Sequence, residues 1–241
     1  MIFRVPFSAL FFEERDMFTQ SLKNTDVLVI LDTETTGISY KNDEIIELAA
    51  VKLERIGGEM TVTDRMDDFI LLSEGRHLPP EITALTGITE QMLTDEGKRK
   101  RETAERFAEM IGKSGTLTVA YNAQFDMNFL YWFLHREGLS EALKNTVMLD
   151  AMTVYKDRRP YPHKLCNAID EYKLVTQNTH RAIDDAQATL ELMCAMEKEC
   201  ADLDNYINLF GYSPKWGISG SKISSVTYKP QYSYPNPKLY L

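Results

Sequence analysis

The run Asp26-Val-Leu-Val-Ile-Leu-Asp32 constrains this chain more than any other segment. Its β-branched and apolar residues read as a buried strand. The run ends in an acid, and a second acid follows two positions later in Asp32-Thr-Glu34-Thr-Thr-Gly37. Residues two apart on a strand point to the same face, so Asp32 and Glu34 stand side by side. Adjacent carboxylates repel unless a cation lies between them. Alone, the pair is also what a solvated strand end carries, in a chain with 36 acids among 241 residues.

The rest of the chain supplies a scaffold for that strand. Glu44–Leu53 and Met60–Leu72 read as two more strands, and their short spacing favours antiparallel neighbours. Pro79-Pro80 opens a helical stretch, Thr86-Gly87 stops it, and Thr89-Glu90 starts another. The basic run Lys98–Arg101 leads into a helix ending near Gly112. Leu117–Tyr121 and Val147–Leu149 read as short strands. Helices are expected over 124–137, to about Tyr155, over 164–173 and over 182–201. Strands first, then alternating β and α, predict an α/β fold with a mixed sheet and helices on both faces. Residues 1–24 form an extension compatible with one amphipathic helix, and no internal repeat is present.

Two further segments carry acids at strand ends or helix starts. Asn122-Ala-Gln-Phe-Asp126 follows a strand, where an Asp also serves as a helix cap. His180-Arg-Ala-Ile-Asp184-Asp185-Ala186 opens the last long helix, and its His-to-Asp spacing is weak evidence alone. Their conjunction with the acid pair is what matters, because strand ends in an α/β sheet converge on one edge. Four carboxylates gathered there require a divalent metal, and oxygen-only ligands favour Mg²⁺ or Mn²⁺ over zinc.

The three segments DTETTG, NAQFD and HRAIDDA resemble the exonuclease motifs of the DEDDh 3′→5′ exonucleases. That family includes RNase T and the proofreading exonucleases of bacterial replicative polymerases such as DNA polymerase III. The stretch 78–89 and His163-Lys-Leu165 match its habit as well, so the resemblance spans about residues 26–200. It implies a ribonuclease H-like fold with a five-stranded mixed sheet flanked by helices. It also divides the chain into an extension (1–24), an exonuclease domain (25–201) and a C-terminal extension (202–241). Carried over by motif, Asp32, Glu34, Asp126 and Asp185 bind metal and His180 is the general base. Two ions per site are implied: one held by Asp32, Glu34 and Asp185, the other by Asp32 and, through water, Asp126. A histidine has an ordinary pKa near 6.5, suited to taking a proton near neutral pH. Asp184 is assigned to capping, and Glu47 and Asp150 to structure. Thr35, Gly37, Ile38, Thr86, Ile88, Asn122 and Phe125 match positions that touch the terminal nucleotide in relatives. Ile88 and Phe125 either stack beside the last base or belong to the core.

The expected reaction is metal-dependent removal of nucleoside 5′-monophosphates from 3′ ends. Single-stranded or frayed DNA is the favoured substrate, with RNA left open because the motifs are shared. The competing reading is a module that only binds nucleic-acid ends or a polymerase. Loss of a metal ligand would mark it, and all five motif residues are present. The net charge of −9 opposes a nucleic-acid partner, yet it divides unevenly. Residues 211–241 hold four lysines and no acid, which leaves −13 on the rest. With four prolines, that tail is not a helix. It either covers the domain's own surface or docks on a polymerase or other partner through its tyrosines and prolines. Lys98–Arg101 and Arg158-Arg159 are candidate phosphate contacts or simply solvated faces. Cys166, Cys194 and Cys200 have no metal-binding spacing and read as thiols in a reducing compartment. The apolar start is broken by Pro6 and followed by acids, which argues against a signal peptide. No apolar run is long enough to span a membrane, so a cytoplasmic setting is expected.

Overall fold

The computed structural model describes residues 17–241. Its main sheet has five strands: β1 (Val27–Thr35), β2 (Ile45–Ile56), β3 (Glu59–Phe69), β4 (Leu117–Ala120) and β5 (Val147–Asp150). They lie in the order β3-β2-β1-β4-β5. The first three form an antiparallel meander, and β4 and β5 add in parallel beside β1. The sheet is therefore mixed, and its central strand is the one that carries the acid pair.

Alternation along β1 sets the two layers. Leu28 and Ile30 belong to one core, and Val27, Val29 and Leu31 to another. The first core is covered by α5 (Ala151–Lys156), α6 (Leu165–Tyr172) and α7 (Ala182–Glu199). The second is covered by α3 (Lys100–Ile111) and α4 (Ala123–Arg136). By the period of two, Asp32 and Glu34 continue the Leu28 and Ile30 face, toward α7, which lies across β1 and β2. A smaller cluster of Ile46, Phe69, Leu78, Ile88 and Leu93 packs where α1 (Pro80–Thr86) and α2 (Glu90–Glu96) cross the sheet. Gly87 ends α1 at φ 72°, the left-handed conformation that glycine adopts without cost. Thr89 caps α2 by accepting from the Met92 N–H.

The chain ends are built into this core. Met17, Phe18 and Leu22 are buried in the first core. The Glu197 carboxylate accepts from the Gln20 and Ser21 amides and the Ser21 hydroxyl, and Asp204 accepts from the Leu22 amide. The helix expected within residues 1–24 lies largely outside the described residues. Residues 17–24 form turns and bends instead. The expected break after residue 24 does not coincide with a gap in packing.

The C-terminal residues pair in a way that no local pattern announced. β6 (Leu209–Tyr212) and β7 (Thr227–Pro230) form a two-stranded parallel sheet. Val226 and Leu239 are buried, and the tail threads polar contacts into the body. Asp157 accepts from Gln231 Nε2 and the Leu239 amide, both at 2.6 Å, and from the Tyr206 hydroxyl at 3.0 Å. Asp202 pairs with Arg158 at 2.5 Å, with Lys238 at 3.2 Å and with the Tyr240 hydroxyl at 2.8 Å. Among the described residues, no helix is long and apolar enough to cross a membrane.

Candidate active site

Each acid of the three sequence segments is delivered by a different element. Asp32 and Glu34 come from the end of β1. Asp126 lies in the first turn of α4 and Asp185 in the first turn of α7. The Thr33 hydroxyl, on the α4 side of β1, donates to Asp126 at 2.7 Å and fixes that carboxylate beside the strand. Asn178 and the Thr179 amide donate to Asp185 at 2.5 and 3.3 Å. The Thr179 hydroxyl takes the neighbouring Asp184 away at 2.6 Å. Asp185, and not Asp184, therefore joins the cluster: ligand atoms of Glu34, His180 and Asp185 lie within 4.8 Å of one another.

His180 is exposed, at φ 56°, just before α7 begins. Its place is set by the next two residues. Arg181 donates to Glu47 Oε1 through Nε at 2.9 Å and Nη2 at 2.6 Å. The Ala182 amide donates to Glu47 Oε2 at 2.9 Å. Glu47 is fully buried on β2 and stands opposite Glu34 in the β1–β2 register. Arg181 also lies over the Phe69 ring, 4.8 Å from its centre. Glu47 is thus a structural acid, as its sequence assignment had it, and it orients the segment carrying His180. Asp150 is likewise structural. It accepts from the amides of Asn122, Ala123 and Met152 and from the Thr153 hydroxyl, tying the starts of α4 and α5 together.

The acids crowd without compensation. Burial, then the charges of Asp126, Asp185, Glu34 and Glu47, holds Asp32 well above the usual carboxylate range. Burial pushes Glu34 up to about 8, with Glu47, Asp185 and Asp126 adding to the rise. Burial raises Asp126, against the opposing hydrogen bond from Thr33. Asp185 rises to about 6, again mainly by burial. These groups bind protons more tightly folded than unfolded, so the metal-free protein should lose stability as pH rises from about 4 to about 8. A divalent cation held among them would replace those protons and should reverse the loss. Thermal melts at pH 5 and pH 8.5, with EDTA or with Mg²⁺, test this. A melting temperature that rises with pH in EDTA would contradict it.

The expected nucleotide-contacting positions divide sharply. Ile38 is 88% exposed at the rim, in the loop after β1. Gly37 lies close to Asp43, whose carboxylate would have to shift to admit a Cβ there, at 2.6 Å. Asn122 is exposed at φ 68°, and Phe125 is half-buried, 4.9 Å from the Phe129 ring. Thr35 is buried, and its hydroxyl donates to the Gly37 carbonyl at 2.6 Å. Ile88 corrects the sequence expectation. It is 0% exposed within the small third cluster, so it has no face for a base. Thr86 is buried with it, donating to the Ile82 carbonyl and accepting from the Ile88 amide. The basic runs, read either as phosphate contacts or as solvated faces, are mostly held in ion pairs. Lys98 pairs with Asp68, Lys100 with Glu44 and Arg101 with Glu105. Arg158 is buried against Asp202, and Arg159 pairs with Glu171 and Glu199. The sequence reading did not single out Thr33, Asn178 or Arg181, whose partners are visible only in the folded chain.

A five-stranded mixed sheet with an acid cluster at the end of its central strand defines the ribonuclease H-like fold. Solved structures share it. Escherichia coli exonuclease I, in a complex with single-stranded DNA, superposes with a TM-score of 0.67 at 18% identity. That match covers 76% of this chain and 42% of the other. Exonuclease I from Methylocaldum szegediense gives 0.62 at 21% identity, over 75% of this chain and 42% of the other. The family described as exonuclease, of the RNase T type, matches residues 29–193, and the chain belongs to it. DNA polymerase III subunit epsilon of Treponema pallidum is 33% identical over 68% of this chain and 74% of its own length. The PolC-type DNA polymerase III of Clostridium perfringens is 38% identical over 70% of this chain. The chain spans about a tenth of the PolC-type relatives' length.

Proposed function

We propose that this exonuclease is a divalent-metal-dependent enzyme that cuts single nucleotides from 3′ ends of single-stranded or frayed DNA, releasing nucleoside 5′-monophosphates. The convergence of Asp32, Glu34, Asp126 and Asp185 from three elements beside an exposed His180 carries the reading. The donor set fits hard cations: it consists of buried and half-buried carboxylates that repel one another and gain from an ion among them. Asp32, Glu34 and Asp185 would hold one Mg²⁺ or Mn²⁺, and Asp32 with Asp126 a second. Bound ions supply the charge that neutralises phosphate oxygens and makes water acidic enough to attack near neutral pH. His180 takes the proton from the attacking water, its ring open to solvent on the side from which a strand end arrives. Ile38, Asn122 and Phe125 line the approach of the terminal nucleotide, while Thr35 and Gly37 shape the loop beneath it. Exonuclease I has been solved in complexes with single-stranded DNA and with a dT13 oligonucleotide, which supports the choice of substrate. The polymerase III relatives support a polymerase as partner.

A 3′-labelled oligonucleotide incubated with Mg²⁺, against mismatched duplex DNA and RNA, tests the reading. Release of the label as a mononucleotide in the first cleavage is expected. No trimming in Mg²⁺ or Mn²⁺ would sink it. His180→Gly is the informative variant, because the left-handed φ of this residue suits glycine and leaves the backbone undisturbed. Turnover should fall about 10²–10⁴-fold, with Mn²⁺ affinity retained. Added imidazole should recover part of the rate in the space left open. A variant at wild-type rate would remove His180 from the mechanism.

A further inference from the structure

About half of the described cations of the body pair with carboxylates, and two lysines of the tail do not. Lys215 and Lys222 form no ion pair among the described residues. Each lies over an aromatic ring instead: Lys215 over Trp216 at 4.5 Å and Lys222 over Tyr228 at 6.0 Å. Trp216 is 78% exposed. It sits in a tight turn closed by the Trp216 and Gly217 amides donating to the Ser213 carbonyl at 3.1 and 2.8 Å. A large exposed ring on a short turn, capped by an unpaired cation, is not explained by packing.

The segment after this turn is pinned against α4, the helix whose first turn carries Asp126. The Ser221 carbonyl accepts from Gln124 Nε2 at 2.7 Å and Asn128 Nδ2 at 3.3 Å, both on α4. The Ser221 amide donates to Asn128 Oδ1 at 3.2 Å, and its hydroxyl pairs with the Tyr40 hydroxyl at 2.8 Å. Gly220 lets the backbone lie this close, since a Cβ would stand 3.1 Å from Asn128 and 3.3 Å from Tyr40. Gln124 and Asn128 flank Phe125 and Asp126 on the same helix, and Tyr40 follows Gly37 and Ile38. A cavity of about 160 Å³ opens between the turn and the α4 start, lined by Asn122, Lys156, Ser213, Gly217 and Ile218 among others. It leads from Asn122, at the start of α4, to the turn.

We propose that residues 213–222 hold the single strand 5′ to the nucleotide being removed, with Trp216 stacking on a base and Lys215 and Lys222 meeting its phosphates. The tail's four lysines without an acid complement a polyanion, against a body of −13. An aromatic ring beside free cations is the combination that binds single strands without regard to sequence. The proposal rests on the exonuclease reading given above.

Two substrates separate the two readings. The p-nitrophenyl ester of thymidine 5′-monophosphate fills only the cleavage site, while a twelve-residue oligothymidylate also reaches the turn. In the double variant Lys215→Ala/Trp216→Ala, ester hydrolysis should stay within about twofold of wild type. The KM for the oligonucleotide should rise roughly 10–100-fold, with a shallower dependence on salt. Equal loss on both substrates would mean that the turn serves the fold, and no loss on either would mean that no strand rests there. Each result overturns the proposal. If wild type hydrolyses neither substrate, the exonuclease reading fails first. Binding of the labelled oligonucleotide in Ca²⁺ then decides the proposal, and an unchanged Kd in the variant overturns it.

Discussion

Replacing Asp32 with asparagine should cut oligonucleotide hydrolysis by roughly 10³-fold or more, while raising the melting temperature of the metal-free protein. Both effects have one origin. Asp32 is half-buried at the meeting point of Asp126, Asp185, Glu34 and Glu47, all of which disfavour its charge. An amide of the same shape removes the repulsion and also the ligand shared between the two proposed ions. A stabilising change at a functional position is expected wherever function requires like charges to be held together. Steady-state hydrolysis in Mg²⁺, together with melts in EDTA, checks the pair. A variant that keeps wild-type turnover would displace Asp32 from the centre of the chemistry. One that melts lower in EDTA would show that crowding there is already relieved by protons.

The second large effect concerns the tail. A chain stopped after Phe210 should lose on the order of 5 kcal/mol of stability, from burial of Val226 and Leu239 and the partly buried Ile223, Tyr228 and Tyr240. It also leaves Asp157 without Gln231 and Leu239, and Asp202 without Lys238 and Tyr240. A domain of this size commonly has only about 5–15 kcal/mol in total. The melting temperature should therefore drop by 10 °C or more, or the truncated chain should fail to fold. A truncated protein that melts with the full chain would show that these contacts contribute nothing, and would leave docking on a partner as the role of the tail. Of the two sequence expectations for these residues, coverage of the domain's own surface is the one their contacts support.

What was legible in the sequence was what neighbouring residues decide. The apolar run before Asp32, the Pro79-Pro80 and Thr86-Gly87 punctuation and the Thr89 cap each fix a local conformation. The elements fell within a few residues of their expected places. The acids were legible because chemistry ties them to motif positions. Side-chain depth was not. Ile88 lies one residue beyond an exposed glycine, and nothing local reveals that it turns inward onto Ile46 and Phe69. The basic runs admit two readings for a related reason. Lys98 finds Asp68 thirty positions back, and Arg158 finds Asp202 forty-four positions on. Charge counted along a chain cannot show which cations are already spoken for. The parallel pairing of β6 with β7 joins segments separated by a loop of mixed polar residues, which carries no period to read.

The clasp of residues 20–22 by Glu197 and Asp204 bears on when the acid cluster is assembled. Glu197 and Asp204 secure residues 20–22, and α7 brings Asp185 to an acid pair laid down at residues 32 and 34. Such long-range closures are slow and come late in folding. During synthesis, the first hundred and eighty residues hold only three of the four acids and lack the helix that completes the first core. The acid cluster is therefore incomplete until α7 has formed and packed on β1 and β2. The same topology that spreads the acids across the sequence delays the assembly of a nuclease until the fold is there to restrain it.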